Sequence, residues 1–169
     1  MVIVTRPGQH AGAEADGAVT AIPGSVLAVH VADCAPIALV STQGVVGVAH
    51  AGWRGVAAGV VGETVAAMRA LGARSIEAEL GPCIGPECYE FGARDLDAVA
   101  AALGDRVRGT TSDGRAALDL RAAVTTALDR AGVRLRGGDT TCTACSEEHF
   151  SHRARRETAR QAVLVWLEP

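Results

Sequence analysis

The apolar positions of this chain change period along its length. Residues 26–31 (VLAVHV), 36–40 (PIALV) and 45–50 (VVGVAH) are short β-branched runs, and Ser41-Thr42-Gln43-Gly44 between the last two has the composition of a turn. This pattern predicts a hairpin. From Gly55 the period lengthens: Val56, Val60, Val61, Val65, Met68 and Leu71 recur at helical spacing until Gly72, a natural C-terminal stop. Trp53-Arg54-Gly55 therefore falls at a strand-to-helix junction.

Further along, 75–80 (SIEAEL) reads as a strand running into GPCIGPECYEFG, whose glycines and prolines exclude regular structure. Helices are expected at 93–103 and 119–131, the second capped by Asp119. Strands are expected at 133–137 and at 160–167, the latter apolar enough for a central position. Strands and helices mix without strict βαβ alternation, which predicts an α+β fold. At 169 residues, one domain with its own core is expected.

If the hairpin closes around residues 42–44, antiparallel pairing sets residue 35 or 36 opposite His50. Cys34 and His50 then share its open end, about 5–8 Å apart, within reach of a common metal or a thiol–imidazole contact. A cysteine acts as ligand or nucleophile only as thiolate, and a nearby imidazolium, metal or helix N-terminus favours that form. A buried apolar cysteine beside a hydrogen-bonded histidine satisfies the same spacing. Asp33 adjoins Cys34 but points to the opposite face of a regular strand, which suits a structural hydrogen bond. His30 lies about 13 Å from Cys34 along an extended strand, too far for a shared ligand sphere.

Composition narrows the chemistry. All sixteen basic residues are arginine, scattered except for Arg153-Ala154-Arg155-Arg156, so no broad basic face suits nucleic acid. Without lysine there is no Schiff-base chemistry and no P-loop lysine. No run of about 18 uncharged apolar residues or basic-then-apolar leader occurs, and the five cysteines are odd in number; no membrane partner, free thiols or ligands, and a cytoplasmic location are expected. Cys142-Thr143-Ala144-Cys145 has CxxC spacing, and Cys83 with Cys88 offers a second pair. A 53-residue gap between the pairs makes a poor zinc ribbon, and these read as ordinary loop cysteines.

Four segments, ADCAPI (32–37), GVAHAGWRG (47–55), GPCIGPECYEFG (81–92) and CTACSEEHFSHRAR (142–155), together resemble the signatures of one bacterial family. That family is known as laccase-like multicopper polyphenol oxidoreductases, as peptidoglycan editing factors, and as purine nucleoside phosphorylases with adenosine deaminase activity. The resemblance runs from about Val2 to Trp166. It implies a four-layer α/β/β/α sandwich with mixed sheets, similar to a toxin deamidase that uses a Cys-His pair. It also implies zinc held by Cys34 and His50 with one further histidine.

In the family that histidine belongs to a Val-His-Gly segment well upstream of what stands here as Ala15-Asp16-Gly17. His10, six residues before Asp16, is the candidate in this chain, out of place in the pattern. About the first third of a full-length member is therefore expected to be missing. The implied reaction is zinc-dependent phosphorolysis or deamination of adenosine, inosine or related nucleosides, with phosphate as co-substrate. Arg54 and Arg153 are the candidates for holding the anion, although Arg54 can equally lock the junction and Arg153 can equally sit on a solvated face. His149 and His152 are further candidates for substrate contact or surface exposure. Two alternatives stand beside this: a metal-free hydrolase or deamidase with Cys34 as nucleophile and His50 as base, and a non-catalytic binding fragment with an incomplete metal site. Copper-dependent phenol oxidation suits the chain less, since a laccase needs many more histidines than five.

Overall fold

A computed structural model describes all residues from Met1 to Pro169. The strands are β1 (Val2–Val4), β2 (Gly17–Thr20), β3 (Leu27–Val31), β4 (Ala35–Ser41), β5 (Val45–Ala51), β6 (Ile76–Leu80), β7 (Arg108–Thr110), β8 (Ala116–Leu118), β9 (Arg134–Gly138) and β10 (Gln161–Val165). The helices are α1 (Trp53–Ala58), α2 (Val60–Ala70), α3 (Ala93–Leu103), α4 (Leu120–Arg130) and α5 (His152–Arg155). β1-β2-β5-β4-β6-β9 form a six-stranded mixed sheet, β3 and β10 a second sheet, and β7 and β8 a small ribbon.

β5 is buried on both faces, and its alternation sorts the layers. Val45, Ala49 and Ala51 join the larger core with Val61, Val65 and Met68 of α2 and Val124 and Leu128 of α4. Val46 and Val48 join a smaller core with Leu27 and Val29 of β3, against which Val163 and Val165 of β10 rest. Helices thus cover one face of the large sheet and the β3–β10 pair covers the other. The fold is α+β with mixed sheets, as expected, and this chain supplies three layers of the sandwich: helix, sheet, sheet. By the same period of two, His50 follows Val46 and Val48 onto the β3–β10 side. Ile37 and Leu39 of β4 are fully buried, each worth about 1.5–3 kcal/mol of transfer free energy.

The hairpin expectation holds in register. Pro36 lies opposite His50 and Ala35 opposite Ala51, and the turn closes through Gly44, whose N–H donates to the Ser41 carbonyl at a φ of +71°. Two other expectations need correction. The helix read from Gly55 to Gly72 is two helices, α1 and α2, because Gly59 takes a left-handed conformation and caps α1 with its N–H on the Gly55 and Val56 carbonyls. The apolar period runs across this break, which is why periodicity does not reveal it. The 160–167 strand is not central: β10 pairs only with β3 and alternates in exposure, leaving Leu164 and Trp166 about half exposed. A continuous apolar run does not distinguish a strand covered on both faces from one covered on a single face. No helix is long and apolar enough to cross a membrane.

Candidate functional site

β5 ends at Ala51, and Gly52 carries the chain into α1 in an extended conformation with no side chain to fill the corner. An added Cβ there would stand 3.2 Å from Cys34 Sγ and 3.8 Å from His50 Cε1. The corner therefore shows that the thiol and the imidazole converge on one point. Cys34 arrives from the opposite strand, just before β4, after Asp33 has turned the chain at a φ of +84°.

His50 is oriented from behind. Its Nδ1 lies 2.8 Å from Asp16 Oδ1, on the loop preceding β2, and its backbone N–H donates to the Asp16 carbonyl at 2.8 Å. With Nδ1 taken by a carboxylate, Nε2 is the nitrogen left for Cys34 or a metal. The hydrogen bond with Cys34 raises the His50 pKa most; partial burial opposes it, Asp16 adds to it, and the result is about 9 against an ordinary 6.5. Sequence reasoning did not assign Asp16 a role. It stands 34 residues from His50, and no spacing rule links them.

Cys34 and His50 open into a cleft of about 440 Å³ lined also by His30, Asp33, Tyr89, His152, Arg153 and Arg160. Asp33 holds one wall together: its buried carboxylate accepts from Thr143 Oγ1 at 2.7 Å and from the Arg153 N–H at 2.6 Å. The hydrogen bonds are structural, as expected, but Asp33 precedes β4 at a positive φ and lines the same cleft as Cys34, so it does not point to the opposite face of a regular strand. Arg153 is the second residue of α5, two positions after the Ser151 cap, with its guanidinium bonded to the Glu90 carbonyl and 5.4 Å from the Tyr89 ring centroid. Burial pushes Tyr89 up to about 12, so it remains a neutral hydrogen-bond donor.

Arg54 stacks over Trp53 at 4.1 Å, and edge-to-face contacts link Trp53 to Phe91 and Phe91 to Tyr89. Arg54 and Arg153 line one groove beside Tyr89, and Arg153 reaches from it into the Cys34–His50 cleft. Both anion candidates therefore meet at the rim of the site.

The remaining candidate histidines divide between the Cys34–His50 cleft and other parts of the surface. His10 takes a left-handed turn and lines a neighbouring cleft with Val2 and Gly17; only His30 borders both clefts. The structure does not bring His10 together with Cys34 and His50. His149 bonds to Ser146 at 3.0 Å in its own loop, whereas His152 faces the Cys34 cleft. As to metal, Cys34 Sγ and His50 Nε2 fit a zinc ion: a soft thiolate, an imidazole fixed by a carboxylate on its other nitrogen, and a corner kept open by Gly52. They are two donors of the three a catalytic zinc usually takes.

A family model described as multi-copper polyphenol oxidoreductase laccase matches residues 1–168. The chain is 40% identical over 163 residues to a purine nucleoside phosphorylase of Xylella fastidiosa, covering 90% of this chain and 61% of that protein. It is 42% identical over 156 residues to a purine nucleoside phosphorylase of Streptomyces coelicolor, covering 90% of this chain and 64% of that protein. The crystal structure of YlmD from Geobacillus stearothermophilus superposes with a TM-score of 0.79 at 37% identity, over 91% of this chain and 61% of that one. The chain thus spans less than two thirds of the length of these relatives. A match along nearly every residue, together with the Cys34–His50 corner and the mixed-sheet sandwich, places this chain in the multi-copper polyphenol oxidoreductase laccase family.

Proposed function

We propose that this chain is a zinc-dependent purine nucleoside phosphorylase acting on adenosine, inosine or related nucleosides, with nucleoside deamination as a second activity of the same cleft. The observation that carries the reading is the Cys34–His50–Asp16 chain at the floor of a cleft that Arg153 and Tyr89 border. The relatives named purine nucleoside phosphorylase support it, at 40% and 42% identity over 90% of this chain.

In phosphorolysis the bond between ribose C1′ and the purine nitrogen breaks, a phosphate oxygen bonds to C1′, and the base leaves with the electron pair and takes a proton. Arg153 and Arg54 supply positive charge at the rim, where phosphate enters. Tyr89, a neutral phenol, offers a hydrogen bond to the departing base. Cys34 and His50 would hold zinc, with Asp16 fixing the His50 ring; zinc, when bound, supplies a Lewis acid that also lowers the pKa of water, as deamination needs. His30 and His152 offer further nitrogen atoms within the same cleft. The test is phosphate-dependent release of hypoxanthine from inosine, or of adenine from adenosine, with zinc added. Absence of base release under those conditions sinks this reading.

A second reading is favoured by one specific observation: the Cys34 thiol and the His50 ring converge at Gly52 while Asp16 holds the ring from its other nitrogen, the layout of a nucleophile, a base and an orienting carboxylate. As a metal-free hydrolase or deamidase, Cys34 would attack a carbonyl carbon and His50 would take the thiol proton. Rapid alkylation of Cys34 at neutral pH in zinc-free protein, slowed in Asp16→Asn, supports this reading. Stoichiometric zinc that protects Cys34 supports the first.

A further inference from the structure

A second group of soft ligands lies outside the cleft. Glu87 and Cys88 end the short turn of 3-10 helix that Pro86 opens, while Cys142 and Cys145 sit on a tight turn closed by the Cys145 N–H on the Cys142 carbonyl. The CxxC pair thus meets Glu87 and Cys88 across the fold, a grouping that sequence spacing, which read these as ordinary loop cysteines, did not suggest. Cys83 is instead fully buried and lies beside Cys142 in a backbone bridge.

We infer that Glu87, Cys88, Cys142 and Cys145 form a structural binding site for a zinc-class divalent ion, separate from Cys34 and His50 and independent of the reaction proposed above. One ligand atom from each lies within 4.8 Å of every other. Cys88 Sγ and Cys145 Sγ are 3.3 Å apart, and Cys145 Sγ is 4.0 Å from Glu87 Oε1. A tetrahedron with zinc–sulfur bonds of about 2.3 Å has edges of about 3.8 Å, which these two separations bracket. Three thiolates and one carboxylate also match zinc in softness, whereas the hard carboxylate argues against monovalent copper.

The two loops that carry the ligands are held by backbone hydrogen bonds. The Gly85 N–H donates to Cys142 Sγ at 3.2 Å, as N–H groups do to metal-bound thiolates. Arg155 reaches the Ala144 carbonyl at 3.1 Å and the Thr143 carbonyl at 3.3 Å, setting a guanidinium against the CxxC turn. Arg121 joins the two loops from the other side through the Cys83 carbonyl at 3.0 Å and the Thr141 carbonyl at 2.6 Å. The ligand geometry therefore rests on a scaffold of backbone hydrogen bonds, and not on the thiols alone.

Position gives the ion a role. Tyr89 of the cleft follows Cys88 directly, and Thr143, which holds the Asp33 carboxylate, follows Cys142. An ion here clamps together the two loops that form one wall of the Cys34 cleft.

The test is metal content of the reduced protein by mass spectrometry. A Cys34→Ser/His50→Ala variant isolates this cluster from the other site. It should retain about one zinc per chain, and its cobalt-substituted form should show thiolate-to-cobalt charge transfer with the visible bands of a tetrahedral site. Adding Cys88→Ser and Cys145→Ser should remove both signals while the circular dichroism spectrum persists. Glu87→Gln, which leaves every thiol in place, should weaken zinc binding at least about tenfold in a chelator competition. Failure of the Cys34→Ser/His50→Ala variant to bind zinc under reducing conditions overturns the inference, as does zinc content unchanged by the cysteine substitutions. Neither result depends on whether the chain cleaves nucleosides.

Discussion

Asp16 Oδ1 stands 2.8 Å from Nδ1 of His50, so a loop before β2 fixes the ring of the histidine that faces Cys34 across the end of a hairpin. The bond selects Nε2 as the working nitrogen in either reading of the site. Asp16→Asn keeps the shape of the side chain and removes its charge. Zinc affinity or kcat/KM should fall by about 10–100-fold. Isothermal titration with zinc and steady-state kinetics check this, and wild-type values for both would show that Asp16 does not act through His50.

The raised His50 pKa has a consequence for stability in zinc-free protein. The folded value of about 9 exceeds the ordinary 6.5, so the folded state favours the protonated ring. Its contribution is complete below about pH 6.5 and is lost as pH rises through about 9. In chelator-treated protein, the Tm difference between wild type and His50→Gln should therefore shrink from pH 6 to pH 9.5. A difference that stays constant or grows over that range contradicts the assignment.

Gly52→Ala tests the open corner. The backbone there has a φ of −72°, which alanine adopts without strain, yet its Cβ would meet Cys34 Sγ at 3.2 Å. We expect a Tm close to wild type and a loss of activity of about tenfold, in keeping with the cost of displacing a reacting group by a few tenths of an ångström. Full activity in a folded Gly52→Ala protein would mean that the corner has slack.

Asp33 supports the wall opposite. Asp33→Ala removes the acceptor for Thr143 Oγ1 and for the Arg153 N–H, and urea denaturation should register a loss of about 2–4 kcal/mol from the two orphaned donors. A loss below about 1 kcal/mol would indicate that water replaces the carboxylate.

Arg153→Ala should raise the KM for phosphate by about tenfold or more while changing the KM for the nucleoside less, as loss of a charge-assisted contact to the anion requires. Equal effects on both constants would assign Arg153 to shaping the cleft through Glu90 and Tyr89.

The hairpin, its register and the meeting of Cys34 with His50 were legible because a period of two and a four-residue turn leave few ways to pair β4 with β5. Asp119 as the cap of α4 was legible for a similarly local reason: its side chain accepts the Ala122 N–H. Asp16 and the Glu87–Cys88–Cys142–Cys145 group were not, since each depends on loops brought together by the sheet across 34 and more than 50 residues. Likewise, the expected central position of β10 came from its apolar content, and only the layer that covers one of its faces decides how much of it is buried.

The most direct measurement is release of hypoxanthine from inosine by the purified chain, followed by chromatography with and without phosphate and zinc. Release should require phosphate, rise with zinc to a stoichiometric limit and disappear in Cys34→Ser. No release under any of these conditions, or release unchanged in Cys34→Ser, would contradict the proposed function.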